Sequence, residues 1–373
     1  MAPSALGDFD SNIGILIVGH GSRNNLAIKE FAELVSQLKS LLPGITVEYG
    51  YLEFAKPVIS EALDRLRNKS IKKVIAIPLM LFAAAHAKND IPALLNSYSL
   101  EHDLEICYGR ELGINNLMIG AAGQRVSEAI SSSSNNSFPI EKTLLVVVGR
   151  GSSDPDANSN VSKITRLLVE GMGFGWGETV FSGVTFPLVE PGLRHSLKLD
   201  FPRIVVFPYF LFSGVLVSRI RNQTLMVARD HPTFEFLNAK YLGSHYLVLE
   251  TILERINEVL NGNNSMNCSL CKYRSNLLGF EHEVGFPQKS HHHHVEGVSD
   301  GCILCEEECT GECELKVPPS SHDHDHDHDH DHDHDHDHDH DHDHDHDHER
   351  MPYPNSEHPL GPVTLRHPKQ TKI

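Results

Sequence analysis

The sequence predicts an α/β protein built from two homologous half-domains, each a parallel sheet flanked by helices, followed by a long polar tail. Three observations carry this expectation. Short β-branched runs alternate with amphipathic stretches, the pattern of βαβ units with right-handed crossovers. Two stretches recur at a constant offset of 130 residues: Ile15-Leu-Ile-Val-Gly-His20-Gly-Ser22-Arg23-Asn24 aligns with Leu145-Val-Val-Val-Gly-Arg150-Gly-Ser152-Ser153-Asp154, and Pro78-Leu-Met-Leu81-Phe82 with Pro208-Tyr-Phe-Leu211-Phe212. Nearly all hydrophobic periodicity lies between residue 13 and about residue 262, and the C-terminal remainder of the chain is rich in His, Cys, Pro and charge.

In the first copy, the β-branched runs Ile13 to Val18, Thr46 to Tyr51, Lys73 to Pro78 and Leu104 to Cys107 are expected to be strands. Amphipathic stretches from Asn24 to Leu41, Pro57 to Asn68, Asn89 onward and Ile114 to Ile130 are expected to be helices. The Ser/Asn-rich run Ser131 to Ser137 marks the boundary. In the second copy, strands are expected at Thr143 to Val148, Thr179 to Gly183, Arg203 to Phe207 and Phe234 to Leu237. Its helices should cover Asn158 to Glu170, the surroundings of Pro191, Gly214 to Arg229 and His245 to Leu260. The division is therefore a flexible N-terminus (1–12), half-domains at 13–134 and 138–262, a Cys-rich segment (263–316) and a disordered His/Asp-rich tail (317–373).

Composition narrows the function classes. The formal charge of -18 includes a tract from His322 to His348 in which 14 His alternate with 13 Asp. Without it, 32 basic residues face 37 acidic ones and the charge is -5, an ordinary surface with no basic stripe for nucleic acid. No apolar run approaches the roughly 18 to 20 residues that span a bilayer, and no leader precedes the first strand, so a cytoplasmic location is expected. Only Cys107 of the seven cysteines lies in the duplicated part. Cys268, Cys271, Cys302, Cys305, Cys309 and Cys313 cluster in the tail, a spacing that favours metal ligation in a reducing compartment.

The copies differ where chemistry would occur. At the 130-residue offset His20 becomes Arg150, His86 becomes Leu216, and Glu53, in the less clearly aligned middle segment, becomes Gly183. An imidazole needed by the scaffold would be kept in both copies, so its loss from one points to a single site in the first half. Ligands of open parallel sheets bind beyond the carboxyl ends of the strands, and His20, Glu53 and His86 each follow a predicted strand. Two imidazoles and a carboxylate suit a divalent metal such as cobalt, iron, nickel or zinc, and can also accept protons near neutral pH.

Ile-Val-Gly-His20-Gly-Ser-Arg, Tyr-Leu-Glu53-Phe-Ala-Lys-Pro and Pro-Leu-Met-Leu-Phe-Ala-Ala-Ala-His86-Ala-Lys-Asn-Asp-Ile-Pro, in that order, resemble the sirohydrochlorin cobaltochelatase family of class II tetrapyrrole chelatases, related to sirohydrochlorin ferrochelatase. The resemblance covers about residues 13 to 262. It implies two chelatase-like half-domains and ATP-independent insertion of Co²⁺, supplied free or by a chaperone, into sirohydrochlorin, with His20, Glu53 and His86 as metal and proton-handling residues. Fe²⁺ or Ni²⁺ are the alternative substrates, siroheme synthesis or non-enzymatic metal storage the alternative roles, and a homodimer is left open. The substrate is a ring edged with carboxylates. Gly21-Ser22-Arg23-Asn24 opens a helix whose backbone N–H groups can receive one, and Arg150 with Ser152 forms the matching strand end. Arg219 and Arg221 read equally as surface charge, and Lys88, Asn89 and Asp90 as a helix N-terminus capped by Asn89.

Met266-x-Cys268-x-x-Cys271 resembles the motif that long family members carry, where it is associated with an iron–sulfur cluster. Two cysteines cannot fill four positions, so Cys302 and Cys305 are candidates to complete either a [4Fe-4S] cluster or a zinc site. The His291 to His294 run and the His/Asp tract have no apolar residue to bury, and suit loose storage or delivery of cobalt or nickel.

Overall fold

A computed structural model describes residues 12–133 and 138–285. The expectations for the extreme N-terminus, residues 134–137 of the linker, Cys302, Cys305, Cys309, Cys313 and the histidine tract lie outside these residues.

Each half is a four-stranded, all-parallel sheet. In the first, β1 (Ile13–Gly19), β2 (Thr46–Tyr51), β3 (Lys73–Pro78) and β4 (Glu105–Tyr108) stand in the order β2-β1-β3-β4. In the second, β5 (Thr143–Gly149), β6 (Trp176–Phe181), β7 (Arg203–Pro208) and β8 (Glu235–Asn238) repeat it as β6-β5-β7-β8. The helices are α1 (Asn25–Leu41), α2 (Ile59–Asn68), α3 (Ile91–His102) and α4 (Asn116–Ser131), then α5 (Pro155–Met172), α6 (Val189–Ser196), α7 (Val215–Asp230) and α8 (Tyr246–Leu260).

Strand register proves the duplication residue by residue. Gly14 stands opposite Thr46 and Leu144 opposite Trp176; Ile13 faces Lys73 and Thr143 faces Arg203. The offset therefore passes through the middle segment without insertion, and Glu53 and Gly183 are true counterparts.

Alternation along the central strands separates the cores. Ile15 and Ile17 of β1, with Leu145 and Val147 of β5, join one cluster with residues of α1, α4, α5 and α8, so a single core ties the halves together. Leu16 and Val18 point to the opposite face, into a cluster under α2 and α3, and Val146 and Val148 into its equivalent. With both faces covered, central strands read as unbroken apolar runs. Helix α1 buries Ala27, Phe31, Leu34, Val35 and Leu38, a stripe at helical spacing.

Several boundaries differ from the sequence expectation for physical reasons. Helix α2 starts at Ile59, not Pro57, because the Pro57 carbonyl accepts the Tyr51 N–H and holds that stretch against the strand end. Strand β6 begins at Trp176 and ends before Gly183; Gly177 disguises it, yet a Cβ there would lie 2.2 Å from Val169 Cγ2, so glycine is what lets α5 pack on the strand. Helix α5 begins at Pro155 instead of Asn158, with Asp154 as its cap. Beyond α8, residues 263–285 fold back onto the body, burying Cys271, Lys272 and Phe280.

Candidate metal centre

The loops after β1 and β2 are fused by their backbones. Leu52 N–H donates to the Gly19 carbonyl at 2.8 Å and Glu53 N–H to the His20 carbonyl at 2.9 Å. Gly21, at φ +98°, makes this approach: a Cβ would sit 1.6 Å from the Glu53 carbonyl oxygen. Gly151 repeats it, with a Cβ position 1.9 Å from the Gly183 oxygen. The scaffold is thus common to both halves, and only the first arms it.

His20 Nε2 lies 3.1 Å from Glu53 Oε1 and His86 Nε2 lies 3.9 Å from the same oxygen. The two imidazoles meet edge to face with ring centroids 4.7 Å apart. Ligand atoms of the three residues all fall within 4.8 Å of one another, the one such group of His, Cys, Asp and Glu among the described residues. Glu53 is only 5% exposed.

The other ring nitrogens fix the tautomers. His20 Nδ1 donates to the Gly21 carbonyl at 3.1 Å and His86 Nδ1 to Asp90 Oδ2 at 2.7 Å. Both Nε2 lone pairs therefore face a carboxylate, an arrangement of three acceptors that calls for a cation or a proton between them. Burial, reinforced by Asp90 and opposed by His86, Arg150 and Arg23, raises the Glu53 carboxyl above its usual pKa and favours a proton there. Burial, then His86 and Arg150, holds His20 down to about 3, so its imidazole stays neutral and able to ligate.

His86 begins a π turn, His86–Asp90, that leads into α3. Asn89 caps nothing: it is buried in that turn and donates from Nδ2 to Asp90 Oδ1 at 3.3 Å. Lys88 is buried as well and bonds across to Asp154 and Asp156 of the second half. These residues correct the expectation of a plain helix N-terminus. Their signal was available, since at the 130-residue offset Asp90 becomes Ile220 and Lys88 becomes Ser218.

Around the three ligands, Phe54 (φ +62°) stacks on His20 with centroids 5.8 Å apart, and the Arg23 guanidinium sits 5.3 Å above the Phe54 ring. Arg150 is exposed at the end of β5, and its charge is felt at both His20 and Glu53 from across the half-domain boundary. Ser22 Oγ accepts the Asn24 N–H at 3.0 Å and Ser152 Oγ the Asp154 N–H at 3.0 Å, so both serines shape turns. The start of α1 is less open to an anion than its sequence suggests, because Asn24 Oδ1 already accepts the N–H groups of Leu26 and Ala27. Arg219 and Arg221 are exposed on α7, and His195 is exposed on α6. Cys268 is exposed with Arg274 Nη1 at 3.2 Å from its sulfur, while Cys271 is buried.

The sequence profile of the CbiX family matches residues 14–129 and again 144–259. The sirohydrochlorin cobaltochelatase of Priestia megaterium is 38% identical over 266 residues, 71% of this chain and 85% of that protein. The sirohydrochlorin cobaltochelatase of Sulfurisphaera tokodaii is 32% identical over 125 residues, which is 98% of that protein but only 33% of this chain, one half-domain's worth. Among solved structures, SirB from Bacillus subtilis with Fe³⁺ superimposes with a TM-score of 0.59 at 27% identity, covering 68% of this chain and 99% of that one.

Proposed function

The chain belongs to the CbiX family, and from that membership we propose that it is a sirohydrochlorin cobaltochelatase that inserts Co²⁺ into sirohydrochlorin without ATP. The observation that carries this reading is the convergence of His20 Nε2, His86 Nε2 and Glu53 Oε1 at the carboxyl ends of β1, β2 and β3. Imidazole and carboxylate donors leave open positions on a divalent metal, which a substrate ring can take up.

Insertion requires two ring N–H bonds to break, four ring nitrogens to bind the metal, and two protons to leave. In this reading His20 and His86 present Co²⁺ beneath the ring. Glu53, made more basic by burial, takes the two pyrrole protons one after the other as the N–H bonds break and passes each outward before accepting the next. His20, held neutral by burial, keeps its lone pair for the metal. Arg23 and Arg150, with Ser22 and Ser152, follow β1 and β5 at equivalent strand ends and would meet the ring's carboxylates through guanidinium and hydroxyl donors. The second half, stripped of His20, Glu53 and His86 counterparts, then acts as the opposite wall.

Further roles are proposed on sequence grounds. Cys268 and Cys271, completed by Cys302 and Cys305, would share an iron–sulfur cluster or a zinc ion. The histidine tract would hold cobalt loosely for delivery, in a cytoplasmic protein. Iron is the second reading for the metal, because the donor set accepts iron as well as cobalt. Initial rates with Co²⁺, Fe²⁺ and Ni²⁺, anaerobic and without ATP, followed by the visible absorption of sirohydrochlorin, test the proposal. Cobalt should be fastest; a faster rate with Fe²⁺ selects the ferrochelatase reading, and no insertion of any metal rejects both.

A further inference from the structure

We propose that Lys88, gripped by Asp154 and Asp156, is a positioning residue for the metal ligand His86, so that the second half of the molecule sets the geometry of a metal site located entirely in the first. The proposal rests on the reading of His86 as a ligand. Lys88 lies two residues from His86 inside the π turn, with its side chain 3% exposed. Its Nζ stands 2.8 Å from Asp154 Oδ2 and 3.0 Å from Asp156 Oδ2.

Neither aspartate is free to follow a wandering lysine. Asp154 Oδ1 accepts the Asp156 N–H at 3.0 Å as the cap of α5, and Asp156 Oδ1 receives Asn267 Nδ2 at 3.5 Å from the segment beyond α8. That segment is tied down beside them: Lys272 Nζ reaches the Ser153 carbonyl at 3.4 Å and Glu283 at 2.7 Å. On its other side the π turn is pinned where Tyr108 Oη donates to the Ala87 carbonyl at 3.0 Å. Lys88 therefore points into the second half while His86, in the same turn, turns Nε2 to Glu53 with Asp90 behind it on Nδ1.

The placement separates a positioning role from simple adhesion between halves. At the 130-residue offset Lys88, Asp154 and Asp156 become Ser218, Asn24 and Leu26, so the related contact at the other side of the pseudo-symmetric pair cannot form. There Glu30 of α1 serves instead, accepting the Ser213 N–H at 2.7 Å and the Tyr241 hydroxyl. Among the described residues, this buried Lys–Asp cluster joins the halves only on the side that carries the metal ligands. Buried ion pairs roughly break even as a source of stability, and their best-attested use is to fix a single geometry.

Two full-length variants test this: Lys88→Arg, which keeps the charge but displaces it, and the triple Lys88→Met, Asp154→Asn, Asp156→Asn, which removes every charge together and leaves none unpaired. The readouts are the dependence of insertion rate on Co²⁺ and on sirohydrochlorin, and the visible d–d band of Co²⁺ bound without the ring. At saturating Co²⁺ the imidazoles of the tail are equally loaded in every variant and cancel in difference spectra. The expected result is a Co²⁺ KM raised about 10- to 100-fold with a displaced band, and a sirohydrochlorin KM within twofold of wild type. A wild-type band and Co²⁺ KM in either variant, with the cooperative melting of wild type, overturns the proposal. His86→Ala separates the layers: loss of the band supports the ligand, and a band that survives this substitution sinks the ligand assignment and the positioning role together. A band lost in His86→Ala but unmoved by the Lys88 changes sinks the positioning role alone.

Discussion

Asp90 Oδ2 accepts the Nδ1–H of His86 at 2.7 Å, so that ring turns Nε2, and not Nδ1, toward Glu53. Carboxylates behind metal-binding imidazoles hold the ring's orientation and raise its basicity, and their loss typically costs 10- to 100-fold in metal affinity. Asp90→Asn keeps the shape but can offer Nδ1 an amide N–H instead of an acceptor. It should raise the Co²⁺ KM by roughly 10- to 100-fold, equal to about 1.4 to 2.7 kcal/mol, and leave the melting temperature within a few degrees. Initial rates against Co²⁺ concentration check this, and an unchanged KM would remove Asp90 from the site.

A pH dependence of stability arises from His20. Its pKa is about 3 in the folded protein against an ordinary value of 6.5. Between these values the unfolded chain binds a proton that the folded state refuses, so this group's effect is to lower stability as pH falls from about 6.5 toward 3. Glu53 has the opposite sign, since its raised pKa weakens the fold as pH rises above the ordinary carboxylate range. Wild type should therefore lose more of its melting temperature between pH 8 and pH 5 than His20→Ala loses. Parallel melting curves for the two proteins over that range would refute a neutral buried His20.

The fused loops predict a sharp contrast between two glycines. Gly21→Ala places a methyl group against the Glu53 carbonyl at a positive φ, and should cost about 3 kcal/mol or more and abolish insertion by separating Glu53 from His20. Gly44 also has a positive φ, +82°, but open space around it, so Gly44→Ala should cost only about 1 kcal/mol and keep activity. Denaturant unfolding of both variants provides the comparison; equal costs would mean that the approach of residues 21 and 53 is not tight.

The repeat made most of the fold legible before any coordinate. Strand limits read from Ile13, Thr46, Lys73, Thr143 and Arg203 match the observed starts, and the central strands among them leave little ambiguity because apolar runs fill a sheet covered on both faces. His20, Glu53 and His86 were conspicuous through what the copy lacks. Lys88 and Asp90 were hidden by their types and setting: Lys-Asn-Asp ahead of an apolar run reads as a helix cap, and Lys88 finds its partners 66 and 68 residues away. Cys271 reads from sequence as a metal-ligand candidate in a Cys-rich segment, and the structure buries it at 1% exposure where that segment packs beside α5, a contact no local pattern announces.

One comparison tests the asymmetry of the two halves most directly: initial rates of Co²⁺ insertion by His20→Ala, His86→Ala and His195→Ala, with melting curves for each. Removing His20 or His86 should abolish insertion with little loss of stability, while His195, exposed on α6 and distant from the strand ends in sequence, should be dispensable. Wild-type rates in His20→Ala or His86→Ala, or an equal loss in His195→Ala, would contradict a single metal site in the first half.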